Sequence, residues 1–267
     1  MINYKEAAYN IRKQLREYIE SAKLQSLIIG LSGGIDSSLC AVLATPVVKS
    51  LGIPLLGRSI TIETNKPDEI DRGIKTGNAF CDNFKEVNLT KAYHQLKTYT
   101  EEEFTNQEDD RATKIRLGNI KARIRMVYLY NLAQRYKGMV LSTDNYTELL
   151  LGFWTLHGDV GDYGMIQNLW KTEVYELAQY LVDNDLKTET EKQALQECID
   201  AVPTDGLGIT SSDLEQLQAK TYFEVDEILK AWLQNKEHAE HPVIRRHLSS
   251  EYKRNNPYNI PRKKIIN

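Results

Sequence analysis

Residues 30–38 read Gly-Leu-Ser-Gly-Gly-Ile-Asp-Ser-Ser, directly after the run Ser26-Leu27-Ile28-Ile29. No other feature constrains the fold as much. It predicts a buried strand running into a tight loop, with a helix opening near Ser37. Such a loop gathers backbone N–H groups and a helix N-terminus around one point, which makes an anion site. Gly33 and Gly34 let the backbone approach a phosphate with no Cβ in the way. Ser32, Ser37 and Ser38 add hydroxyl donors. Asp36 is the odd member. A carboxylate beside a phosphate repels it unless a cation lies between, so Asp36 implies Mg²⁺. No Gly-Lys-Ser/Thr follows the glycines, so the loop is not a Walker A motif.

The rest of the chain alternates in period. Ala7, Ala8, Ile11, Leu15, Tyr18 and Ile19 fall at helical spacing, so 4–22 reads as an amphipathic helix. Strands are expected at 26–31, 53–60, 84–89 and 139–142, and helices at 37–50, 67–80, 90–103 and 113–136. Polar residues 105–110 read as a loop, as does 203–208. Residues 152–170 are rich in Gly, Asp and aromatics and weakly periodic, a pattern of functional or mobile segments. Helices resume at 171–181 and 189–199, and the remainder is helical and polar. Strands joined by helical crossovers argue an α/β fold, a doubly wound parallel sheet with flanking helices. Sites in such sheets lie at the carboxyl ends of strands, where both the 32–38 loop and Thr143-Asp144 fall. No composition shift divides the chain, so 1–267 is expected to be one domain.

The net charge of −3 gives no argument for a nucleic-acid or membrane partner. No apolar run approaches the roughly 20 residues of a membrane helix. The first residues are polar and amphipathic, unlike a signal peptide. Cys40, Cys81 and Cys198 are scattered and lack metal-ligand spacing, as expected of buried thiols in a cytoplasmic protein.

Two further segments carry chemistry. Asn119 and Arg123 lie four apart in a predicted helix and so share a face. They suit a ligand with phosphate and hydroxyl groups, and equally a solvated face. Ser142-Thr143-Asp144-Asn145-Tyr146-Thr147-Glu148 follows a predicted buried strand and opens a helix. Thr143 or Asp144 could be a simple N-cap, with Glu148 favoured by the helix dipole. Alternatively Glu148 is a second carboxylate for the metal implied by Asp36.

The Ser-Gly-Gly-x-Asp-Ser loop resembles the pyrophosphate-binding loop of the N-type ATP pyrophosphatases. The ordered set is more specific: Gly-Asn-x-Lys-Ala-Arg-x-Arg-Met at 118–126, Thr-Asp-Asn-x-x-Glu at 143–148, Gly-Phe-x-Thr at 152–155, Gly-Asp at 158–159, the lysine at 171, Pro-Thr-x-x-Leu at 203–207 and Lys-Arg at 253–254. With that set the chain resembles the short, ammonia-dependent form of the NAD synthetase family. The resemblance implies an adenine nucleotide alpha-hydrolase-like fold and a homodimer. It implies a C–N ligase that amidates deamido-NAD with ammonia, using ATP and Mg²⁺. Gly30, Leu31, Ser32, Gly33, Gly34, Ile35, Asp36 and Ser37 would bind ATP, together with Arg58, Thr143, Lys171 and Thr204. Asp36 and Glu148 would hold Mg²⁺. Asn119, Arg123, Phe153, Asp159 and Lys253 would contact deamido-NAD, with Asp36, Asp159 and Lys171 closest to the chemistry.

Three positions depart from the family pattern. Leu156 stands where a lysine is usual, and His157 is the nearest residue in sequence that could supply its charge. The stretch 162–166 is one residue short and lacks a proline. Tyr252 stands where a histidine is usual. A catalytically silent nucleotide-binding homologue, or an N-type ATP pyrophosphatase acting on another substrate, are the rival readings.

Overall fold

The computed structural model describes residues 2–63, 65–101, 109–202, 214 and 217–266. Strands β1 (Ser26–Gly30), β2 (Leu55–Thr61), β3 (Asn83–Asn88), β4 (Gly138–Ser142) and β5 (Tyr163–Gly164) form one parallel sheet in the order β3-β2-β1-β4-β5. The expected strands are all present. β5 is the addition: two residues cannot show alternation, and Asp162 supplies what the sequence pattern lacks. Its N–H donates to the Val140 carbonyl and its carboxylate accepts from the Val140 N–H, which docks the segment on β4.

Helices cover both faces, as the alternating pattern requires. Alternation along β1 and β4 sends Leu27, Ile29, Met139 and Leu141 to one core, with α1 (Tyr4–Ala22), α2 (Ile35–Leu51), α7 (Lys171–Asn184) and α8 (Glu189–Ile199). Helix α3 (Pro67–Phe80) packs on α8 and α2 in the same layer. Ile28, Leu56 and Val140 point the other way, against Met126, Leu129 and Ala133 of α5 (Asp110–Arg135). Helix α4 (Thr90–Glu101) packs on α5. Each fully buried Leu or Ile in these layers contributes about 1.5–3 kcal/mol.

A separate satellite core joins α6 (Tyr146–Leu151), α9 (Tyr222–Asn235) and α10 (Pro242–Ser249) through Leu151, Val225, Leu229, Val243 and Ile244. A last short turn, α11 (Glu251–Arg254), follows. Asp226 of α9, fully buried, ties the satellite to the main body. Its carboxylate accepts from Thr147 Oγ1 of α6 at 2.6 Å, and from Thr172 N and Oγ1 of α7 at 3.0 and 2.8 Å. The same Thr147 Oγ1 accepts from the Lys171 N–H at 2.9 Å. One carboxylate thus fixes the first turns of two helices.

Asp226→Ala would leave these three donors buried without their acceptor. The expected loss of stability is about 1–3 kcal/mol, read as a lower urea midpoint at unchanged slope.

Candidate active site

The strand order reverses direction between β1 and β4, and a crevice opens at their carboxyl ends. One cavity of about 640 Å³ lies there, lined by every residue from Gly30 to Ser37 and by Asn119, Phe153, Asp159 and Lys253.

The loop is rigid for identifiable reasons. Gly33 has φ +81°, and a Cβ there would lie 2.0 Å from the Glu69 carbonyl oxygen of α3. Only glycine satisfies both the backbone angle and the close approach. Gly34 N–H donates to Ser32 Oγ at 3.3 Å, and the Ser32 and Ser37 hydroxyls lie 3.2 Å apart. Gly34 is the N-cap of α2 and offers no side-chain cap. The first N–H groups of that helix are therefore left for an anion. Ser38 departs from expectation. It turns into the helix layer, where its hydroxyl lies 2.9 Å from the Gly34 carbonyl oxygen and 3.2 Å from Cys198 Sγ.

Lys171 Nζ lies 2.5 Å from Asp36 Oδ2 and 3.1 Å from Glu148 Oε1. Burial pulls the ammonium pKa down, but the charges of Asp36 and Glu148 outweigh it and hold it well above its ordinary value. Burial, reinforced by Asp36 and opposed by Lys171, pushes Glu148 up to about 8. Asn145 organises both carboxylates. Its Nδ2 donates to Asp36 Oδ1 at 2.8 Å, its backbone N–H to Glu148 Oε2, and its Oδ1 accepts from Glu148 N. The N-cap of α6 is thus Asn145 rather than Thr143 or Asp144, and Glu148 both caps the helix and faces the cavity. Two carboxylates already converge on a cation here, so the donor set fits Mg²⁺. Among the described residues no group of three metal-ligating side chains occurs, so phosphate oxygens and water would complete the shell.

The remaining charges face the same cavity. Burial pushes Asp159 up to about 6 against the Thr155 N–H and the charge of Lys253. Burial and the neighbouring Asp159 push Asp144 up to about 7. Burial and Arg246 bring Lys253 down to about 8, against the opposing charge of Asp159. Lys253 Nζ donates to the Gly152 and Trp154 carbonyls, and the Arg246 guanidinium lies over the Phe153 ring. Asn119 Oδ1 accepts from Thr155 Oγ1 at 2.7 Å.

Thr143 and Arg58 line the cavity as well. Arg58 donates to the Gly57 and Asn83 carbonyls, and its buried Nε lacks a partner. Arg123 does not line the cavity. It is exposed, and its Nε donates to the Leu156 carbonyl. His157 lies outside too, with Nε2 at 3.3 Å from Asn256 Nδ2. The proximity of His157 in sequence therefore does not place its charge in the pocket. Thr204 falls outside the described residues. Three lining arginines escaped the sequence reading, Arg72, Arg125 and the Arg246 already described. Arg125, inside the 118–126 motif, donates to the Ile60 carbonyl and to Asn65 Oδ1. Arg72 of α3 has no motif around it, because its place depends on how α3 docks.

The family model for NAD synthase matches residues 7–260. The NH(3)-dependent NAD(+) synthetase of Finegoldia magna is 32% identical over 229 residues, covering 85% of each chain. Among solved structures, NMN synthetase from Francisella tularensis superposes with a TM-score of 0.82 at 27% identity, covering 98% of this chain and 100% of that one. The NH3-dependent NAD synthetase from Campylobacter jejuni gives 0.72 at 21% identity, covering 97% and 100%, and attests the fold alone. The parallel sheet, its flanking helices and the phosphate-type loop at the switch point are those of an adenine nucleotide alpha-hydrolase-like protein. With its loop, its carboxylate pair and its matched length, this chain belongs to the NAD synthase family.

Proposed function

We propose that the chain is an ammonia-dependent ligase that converts deamido-NAD to NAD at the expense of ATP. One observation carries this reading: a glycine-serine loop and a buried carboxylate–lysine–carboxylate cluster share one cavity with Asn119, Phe153, Asp159 and Lys253. The family match over 7–260 supports it, and supports one functional domain.

In this reading residues 30–37 cradle the ATP phosphates, with Arg58, Thr143, Lys171 and Thr204 making further contacts. Asp36 and Glu148 would hold Mg²⁺, which supplies neutralisation of phosphate charge when bound. A nicotinate carboxylate oxygen attacks the α-phosphorus, the α–β bridging P–O bond breaks, and pyrophosphate leaves with the electron pair. Ammonia then attacks the acyl carbon, the C–O bond to AMP breaks, and nitrogen loses a proton. Asn119, Phe153, Asp159 and Lys253 bind and orient the acceptor, while Arg123 lies outside the cavity lining. Asp159 would orient the incoming nitrogen. The protein contributes positioning and charge stabilisation rather than covalent chemistry.

A second reading, a mononucleotide acceptor, rests on two observations. The NMN synthetase superposes at 0.82, and Leu156 offers only its backbone carbonyl, to Arg123. We also propose a homodimer, for which Val127 and Tyr130 expose apolar surface one turn apart on α5. Three free thiols suit the cytoplasm.

The deciding assay mixes the protein with ATP, MgCl₂, ammonium chloride and either deamido-NAD or nicotinate mononucleotide, and detects pyrophosphate and the amide by mass. Amidation of deamido-NAD is expected, and glutamine should not replace ammonium. Preference for the mononucleotide would select the second reading, and no pyrophosphate with either acceptor would overturn both.

Asp36→Asn and Glu148→Gln should each lower kcat/KM by at least ~100-fold, with circular dichroism unchanged. Rates near wild type at saturating Mg²⁺ would contradict the metal assignment.

Lys253 carries its charge below about 8 and loses it above. Affinity for the anionic acceptor should therefore weaken as pH rises from 7 to 9. Calorimetric titration of Lys253→Met should show weaker binding at pH 7 and a flatter profile.

A further inference from the structure

The glycine-serine loop has no lysine of its own, and Lys171 stands beside Asp36 and Glu148, the pair that would hold Mg²⁺. Pyrophosphate leaving from ATP carries at least about three negative charges, and the two carboxylates offset much of the positive charge that Lys171 and Mg²⁺ would bring, so a further cation beside the loop is favourable. Arg72 stands where that cation is favoured. Its Nε donates to the Gly33 carbonyl at 2.9 Å, which ties the guanidinium to the middle of the loop. Its Nη1 donates to Asp68 Oδ2 at 2.9 Å. The Arg72 side chain is 14% exposed and lines the same cavity as the loop, whereas Asp68 is 66% exposed.

The two partners differ in kind. The Gly33 carbonyl is fixed, because α3 presses on the loop there. Asp68 is a surface carboxylate one helical turn away, and an exposed pair of that sort contributes only about 0–1 kcal/mol. A phosphate oxygen, more highly charged and less exposed, outcompetes it. These recorded bonds occupy two of the five N–H donors of a planar guanidinium that stays charged at all working pH values.

We propose that Arg72 binds the β- and γ-phosphates of ATP and holds the departing pyrophosphate, exchanging Asp68 for phosphate while keeping its bond to Gly33. The proposal rests on the ATP reading above. Arg72 thereby supplies from a neighbouring helix the charge that a Walker A loop carries in its own sequence. A purely structural role, anchoring the loop to α3, makes a different prediction. It would disturb every nucleotide that uses the loop, whereas phosphate binding singles out ligands bearing the β- and γ-phosphates.

The test is calorimetric titration of the intact protein with pyrophosphate and, separately, with AMP, both with MgCl₂. Arg72→Met should weaken pyrophosphate at least tenfold and leave AMP within twofold, and Arg72→Lys should fall between. Pyrophosphate affinity kept within twofold, or equal losses for both ligands, would overturn the proposal. Asp68→Ala tests it without touching the loop: freeing the guanidinium should tighten pyrophosphate severalfold. Unchanged or weaker binding in that variant would also overturn it. A wild-type protein that binds neither ligand would overturn the ATP reading, and the proposal with it. Binding of both with no selective effect of Arg72 would remove the proposal alone.

Discussion

The buried contact of Lys171 with Asp36 and Glu148 ties together three elements that are distant in sequence. Asp36 opens α2, Glu148 opens α6, and Lys171 opens α7. Removing one partner of such a buried group costs about 3–5 kcal/mol, because the others keep their desolvation penalty. The geometry is over-determined from outside. Asn145 holds both carboxylates, and Asp226 with Thr147 fixes the first turn of α7. Three helix N-termini therefore meet at one point, but they meet differently. Asn145 caps α6 and the Thr147–Asp226 pair satisfies α7, whereas α2 begins at a glycine with no side-chain cap. The one uncapped terminus of the three is the one beneath the glycine-serine loop.

Charge is graded along the cavity wall by burial rather than by residue type. Asp144 and Asp159 are raised to about 7 and 6 by desolvation, while Lys253 falls to about 8. Groups that would be fully charged at the surface are held here near the point where they exchange protons at neutral pH. That suits a site that takes in both polyanionic nucleotides and a small amine.

Long segments were legible in the sequence: α3 and α8 begin and end where the spacing places them, and β1 begins at Ser26 as expected and ends one residue early, at Gly30. The phosphate loop was legible because glycine, serine and an adjoining strand state a backbone requirement directly. Arg123 shows the limit of the i, i+4 argument. Four residues advance a helix by about 40° beyond a full turn, enough to carry Arg123 from the Asn119 face to an exposed position off the cavity. Ile115, Asn119, Ala122, Arg125, Met126 and Leu129 line the cavity from this helix instead. Arg72 and Arg125 were illegible for another reason. Their places in the cavity depend on which helix lies against which loop, and no local pattern encodes that. The two-residue β5 owes its pairing to Asp162, a polar residue that propensity would assign to a turn.

The division of the interior has a consequence for how such a molecule can change. The phosphate loop rests on the large core, whereas Phe153 packs on the satellite core formed by α6, α9 and α10. Arg246, over the Phe153 ring, belongs to α10. Among the described residues the two cores form separate buried clusters, and polar contacts cross between them through Asp226 to Thr147 and Thr172, and through Glu148 to Lys171. Resizing residues in the satellite would reshape the Phe153 side of the cavity while the loop and its helix stay in register. The molecule thus carries a seam along which one side of the cavity can be remodelled while the glycine-serine loop and its helix keep their geometry.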